Sequence, residues 1–77
     1  MERLGSGAPY RMTISLNGKV EDARSARTVQ ELIERLGLPP KTVLIEHNGT
    51  ALHRREWPEH GLTEGDRIEV LRVVAGG

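Results

Sequence analysis

Thr28-Val29-Gln30-Glu31-Leu32-Ile33-Glu34-Arg35-Leu36-Gly37 spells a short amphipathic helix from cap to cap. Thr28 and Glu31 form a T-x-x-E box, in which the hydroxyl accepts from the third helical amide and the carboxylate reaches back to the cap amide. Val29, Leu32, Ile33 and Leu36 recur at i, i+3, i+4 and i+7, so one stripe faces a sheet while Gln30, Glu31, Glu34 and Arg35 face water. Gly37 supplies the left-handed stop, Leu38 folds back over the last turn, and Pro39 and Pro40 forbid continuation. A helix this short holds only when docked, each stripe side chain contributing about 1.5 to 3 kcal/mol on full burial. It needs a sheet beneath it.

The flanking residues supply one. Residues 12–16 alternate apolar and polar, Asn17 and Gly18 tolerate the positive φ angles of a type I′ turn, and residues 19–23 return as the second arm of a hairpin. Beyond the helix, Val43, Leu44 and Ile45 make a nearly continuous apolar run, the pattern of a strand covered on at least one face, and Asn48 with Gly49 marks a second turn. Thr50, Ala51 and Leu52 pair briefly, residues 53–61 form a polar connection, and Thr63, Glu64, Gly65 and Asp66 turn into a last strand. This order predicts an α+β domain, with one helix across a mixed sheet of four to five strands. The expected organisation is a flexible N-terminal arm over residues 1–11, the domain over 12–74, and a flexible reactive tail over 75–77.

Composition removes several classes of function. Seventy-seven residues hold one small domain with little room for an enclosed substrate pocket. Eleven basic residues balance eleven acidic ones, so the electrostatic footprint of a nucleic-acid binder is missing. Zero cysteines leave no disulfide, no thiolate nucleophile and no cysteine-based zinc site. His47, His53 and His60 match no zinc spacing, so no metal is expected. Arg54, Arg55 and Glu56 before Trp57 read as a solvated turn with a packed tryptophan, because Glu56 and Glu59 offset the cations. No phosphate-binding loop, acid pair or nucleophile with a base can be found, so the chain is no enzyme by itself and any ATP is bound elsewhere. Without an apolar run of membrane-spanning length or an apolar leader, a cytoplasmic monomer is the expectation.

The final residues carry the chemical signal. Along the last strand Ile68 and Val70 point to one face, Arg67 and Glu69 to the other. Then the phase breaks: Leu71 takes the solvent side, Arg72 the core side, and Val73 and Val74 are apolar in succession. In a strand leaving its sheet, Leu71, Val73 and Val74 form an exposed apolar strip suited to a docking partner; coverage of the strand on both faces is the alternative. Gly76 and Gly77 follow, stripped of Cβ atoms, so Ala75, Gly76 and Gly77 can thread a narrow cleft and present an unhindered carboxylate. At average glycine usage of about 7%, such an ending arises by chance in about 0.5% of chains. The carboxylate is the candidate functional group.

In these residues the chain resembles the ubiquitin-like β-grasp sulfur carriers, most closely the ThiS type of thiamine biosynthesis. The likeness runs over residues 12–77. It rests on Ile14-Ser15-Leu16-Asn17-Gly18, Thr28-Val29-Gln30-Glu31-Leu32, Asn48-Gly49, Arg54 and Trp57, Gly65-Asp66-Arg67-Ile68-Glu69-Val70, and Val74-Ala75-Gly76-Gly77. His53 stands where such carriers often have proline, and the N-terminal arm is not typical. The resemblance implies that a ThiF-like, E1-like adenylating enzyme joins the Gly77 carboxylate to AMP from ATP. A cysteine desulfurase persulfide or free sulfide then displaces AMP, and the resulting thiocarboxylate is handed to a ThiG-like thiazole synthase. The carrier binds no cofactor of its own. The small subunit of molybdopterin synthase shares the Gly-Gly ending but carries prolines and aromatic residues upstream, where this chain has Arg72, Val73, Val74 and Ala75. Carriers for tRNA thiolation or cysteine synthesis share it too, and a β-grasp interaction module acting through its sheet is the alternative of a different class.

Overall fold

The computed structural model describes residues 12–23 and 26–73. Strands β1 (Thr13–Leu16) and β2 (Lys19–Asp22) form the first hairpin, α1 (Val29–Leu36) follows, and β3 (Val43–His47), β4 (Thr50–Leu52) and β5 (Arg67–Arg72) complete the sheet. Short 3-10 segments occupy Pro40–Thr42 and Arg54–Glu59. The strand order is β2-β1-β5-β3-β4, with β1 and β5 parallel and the other pairs antiparallel. The last strand in sequence therefore lies in the middle of the sheet.

The helix begins and ends where its sequence says. Thr28 is extended at φ −134° and its Oγ1 accepts from the Glu31 amide at 3.2 Å. The Glu31 carboxylate reaches one residue further back than a capping box requires, accepting from the Arg27 amide at 2.7 Å. At the other end Gly37 adopts φ 69°, with Gly37 N–H donating to Glu34 O and Leu38 N–H to Ile33 O, the paired bonds of a Schellman stop. Val29, Leu32 and Ile33 are buried as the stripe requires, but Leu36 is 40% exposed. The sheet no longer covers it, because β1 ends at Leu16 and leaves an apolar notch lined by Leu16, Leu36, Leu38 and Val70.

One face of the sheet receives the helix. Ile14, Val43, Ile45, Leu52 and Ile68 meet Val29, Leu32 and Ile33, with Ala23, Ala26, Leu62 and Trp57 closing the sides. The polar connection folds into the 3-10 segment Arg54–Glu59, whose Trp57, expected to pack, is 1% exposed and joins the core beside the helix. Glu56 fixes this turn by accepting from the His53 amide at 2.8 Å.

Both Asn-Gly turns do more than reverse the chain. Asn17 and Asn48 each sit at φ 52° before glycines at 81° and 88°. The Asn17 side chain then takes the place of a strand residue against β5, accepting from Val70 N–H at 2.7 Å and donating to Val70 O at 3.3 Å. Asn48 does the same on the other side, its Oδ1 accepting from Arg67 N–H at 2.7 Å. Central strand β5 is thus paired over its first half by a short β1 and then by an amide side chain.

Candidate functional site

Strand β5 carries the chain to the edge of the molecule. Val43 pairs with Arg72 and Leu44 with Leu71, so the strand stays in the sheet two residues beyond the point where its alternation breaks. Val73 N–H then donates to Thr42 O at 2.7 Å, at the end of the described residues. Of the residues expected to dock a partner, Leu71 is 52% exposed and Val73 44%. Val74 lies outside the described residues, as do Ala75, Gly76 and Gly77, the whole of the expected reactive tail, and the arm of residues 1–11.

A residue that sequence reading passed over joins Leu71. Leu44 sits directly opposite it and is 55% exposed, on the face of the sheet away from the helix. Within the apolar run of β3, Val43 and Ile45 point into the core and Leu44 points out. The pairing of Leu44 with Leu71 creates an apolar step leading to Val73, and only the β3–β5 register reveals it. Arg72, in the core phase, reaches past the end of the packed interior and is exposed.

At the opposite end of β5 a polar cluster holds the sheet together. Asp66 is 8% exposed. Its Oδ2 accepts from His47 Nε2 at 2.8 Å and from Thr63 N–H at 2.9 Å, while Oδ1 accepts from Asn48 Nδ2 at 3.1 Å and Thr63 Oγ1 at 2.9 Å. Burial by itself would raise this carboxyl, but the hydrogen bonds from His47, Thr63 and Asn48 outweigh it and bring its pKa down from 3.8 to about 2. His47 Nδ1 faces His60 Nδ1 at 3.2 Å, the rings meeting edge to face. With His47 Nε2–H committed to Asp66, a neutral His47 accepts at Nδ1 and His60 donates. His53 lies away from this pair, on the groove side of the second 3-10 segment. Among the described residues no group of three or more histidines and acids is arranged to hold a metal ion. The cluster is a structural pin between the β3–β4 turn and the entry to β5, and the tail leaves from the other end of that strand.

Among the described residues, exposed Leu44, Leu71 and Val73 gather at the end of the central strand, next to the last residues of the sequence. No helix among the described residues is long and apolar enough to cross a membrane. Residues 10–77 match the profile of the ThiS family. The sulfur carrier protein ThiS of Escherichia coli (strain K12) is 30% identical over 66 residues, covering 86% of this chain and all of that protein. A thiazole synthase of Paramagnetospirillum magneticum (strain ATCC 700264 / AMB-1) is 24% identical over 66 residues, which are 86% of this chain but 20% of that one. The crystal structure of the thiamine biosynthesis protein ThiS from Geobacter metallireducens superposes with a TM-score of 0.72 at 30% identity, over 86% of this chain and 100% of the other. The solution structure of the Geobacter metallireducens protein gives 0.69. The five-stranded β-grasp sheet with the helix Val29–Leu36 across it, and the family match over residues 10–77, establish that the chain belongs to the ThiS family of sulfur carriers of thiamine biosynthesis.

Proposed function

We propose that the Gly77 carboxylate is the atom group on which this carrier holds sulfur. A carboxylate resists sulfur nucleophiles because oxide is a poor leaving group, so a ThiF-like adenylating partner first joins it to AMP, releasing pyrophosphate from ATP. Sulfide attacks the acyl carbon and AMP departs with the bonding electron pair, leaving a thiocarboxylate. A desulfurase persulfide attacks likewise to give an acyl disulfide, which a second thiol reduces to the same product. Thiazole synthase then accepts the sulfur. In this reading ATP and every catalytic side chain belong to the partners, and the cycle runs in the cytoplasm.

The match of the ThiS family through residue 77 carries this reading. The fold supports it: at the end of β5 Leu44, Leu71 and Val73 form an exposed apolar step, and in the sequence that follows Ala75, Gly76 and Gly77 bring too little side-chain bulk to obstruct a cleft. A thiazole synthase that contains a segment similar to this chain supports the choice of acceptor. Intact-mass measurement after incubation with ATP, the adenylating enzyme and a sulfur source tests it. The expected product has one oxygen of Gly77 replaced by sulfur, and a residue appended after Gly77 abolishes the exchange. An unchanged mass beside an adenylating enzyme shown to be active on another carrier refutes it.

A further inference from the structure

On the helix side, next to the point where the chain leaves the sheet, lies an open groove of about 870 Å³ lined by Gln30, Pro39, Pro40, Lys41, His53, Arg54, Arg55 and Pro58. Its walls are the start of α1, the turn into β3 and the second 3-10 segment. Lys41 immediately precedes Thr42, whose carbonyl accepts from Val73 N–H, so the groove adjoins the end of the described chain. Three of the eight lining residues are permanent cations and none is an acid. In a chain of zero net charge that is a local sorting of charge, and neighbouring Glu56 turns its carboxylate to the His53 amide. Pro39, Pro40 and Pro58 make up another part of the lining; their rings are apolar and carry no amide donor, so a bare phosphate would use the cations and leave these rings uncovered.

We infer that this groove receives an acidic polypeptide segment, carboxylates interleaved with apolar side chains, belonging to the protein partner that closes over the tail. Carboxylates meet Lys41, Arg54 and Arg55 while apolar side chains lie on Pro39, Pro40 and Pro58. Being beside the exit, the contact steers the partner onto the correct end of the carrier. That the partner is the one taking the tail rests on the carrier reading; the chemistry of the groove does not.

The test titrates the full, isotope-labelled chain with a short peptide alternating glutamate and leucine, and in separate arms with its glutamine-for-glutamate counterpart, with ATP and with a single-stranded oligonucleotide. The expected result is amide shifts confined to Lys41, His53, Arg54 and Arg55 with the acidic peptide, weakened about tenfold by the K41E/R54E double variant and by added salt. Trp57 fluorescence confirms that the variant is folded. Shifts centred on Leu44 and Leu71, an equal response to the glutamine peptide, or tighter binding of ATP or the oligonucleotide at the same amides each overturn the inference. With the adenylating enzyme, K41E/R54E raises KM about tenfold while the mass endpoint at saturation stays unchanged; an unaltered KM refutes the steering role. If the mass exchange is absent for the parent chain, the carrier reading fails while the peptide arm still decides the groove.

Discussion

Replacing Asp66 with asparagine keeps the shape of the pin and removes its charge, which makes it the sharpest test of how the sheet is held. Four donors converge on two carboxylate oxygens, and asparagine keeps one oxygen. If the amide nitrogen replaces Oδ1, it faces the Asn48 Nδ2 donor, though the Thr63 hydroxyl can turn and accept. If it replaces Oδ2, it faces the Thr63 N–H, which cannot turn. Either way one donor of an exposed residue loses its acceptor, at a cost of about 0.5–1.5 kcal/mol, and weakening the charge-assisted bond to His47 costs about 1.5–3 kcal/mol. The total is about 3 kcal/mol, a large share of what a domain this size has.

The pH dependence fixes the cause. A carboxyl lowered from 3.8 to about 2 on folding stabilises the native state fully above pH 3.8, and this contribution, about 2 kcal/mol, is lost as pH falls through 2. The asparagine variant has no such group. Urea unfolding followed by Trp57, the single tryptophan and buried, therefore shows Asp66→Asn about 3 kcal/mol less stable at pH 7, with the gap narrowing by about 2 kcal/mol near pH 2. Other carboxyls titrate equally in both proteins and cancel in the difference. A gap below about 1 kcal/mol at pH 7, or one that fails to narrow in acid, refutes the assignment of the cluster as an ionised pin.

Leu44→Asp and Leu71→Asp change stability by less than about 1 kcal/mol, since both leucines are half exposed, yet raise the KM of the adenylating partner about tenfold; unaltered steady-state kinetics count against the apolar step as a docking element. Gly37→Ala meets no atom within 4 Å but forces a left-handed φ of 69° on a Cβ residue, so thermal unfolding shows a loss of about 1–2 kcal/mol, or about 4–8 °C per kcal/mol. Asn17→Ala removes both side-chain bonds to Val70, and hydrogen exchange at the Val70 amide accelerates about tenfold, corresponding to about 1.4 kcal/mol of local opening.

What could be read from the residues was what is local. The caps at Thr28 and Gly37, the Asn-Gly turns and the alternation of β1 and β5 each involve contacts within a few residues, and element order followed from them. The polar pin was not legible, because Asp66 meets His47 and Asn48 only through the antiparallel register of β3 and β5, 18 or 19 residues away along the chain. Leu44 was hidden for a related reason: in an apolar run every residue looks like core, and only Leu71 opposite it shows which one faces out. Trp57 was recognised as packed, but no periodicity announces a 3-10 segment of six residues containing a proline. The Leu36 exposure follows from β1 stopping after four residues, a limit set by the Asn17 turn and felt on a different element.

These placements divide β5 into an anchored start and a released end. Asp66, its four donors and the Asn48 bond to Arg67 concentrate the buried polar commitments where the strand enters. At the other end, among the described residues, Val73 N–H bonds to Thr42 O while the Leu71 and Val73 side chains are exposed. Under the proposed function the residues beyond Val73 are handed to partner enzymes, and a strand at the centre of the sheet, pinned at its far end, anchors the core independently of what binds there. Asp66→Asn should therefore lower stability while sulfur loading per folded molecule, measured by intact mass at low temperature, stays that of the parent. A variant that remains folded yet loads poorly would show that anchor and tail are coupled through β5, contrary to this division.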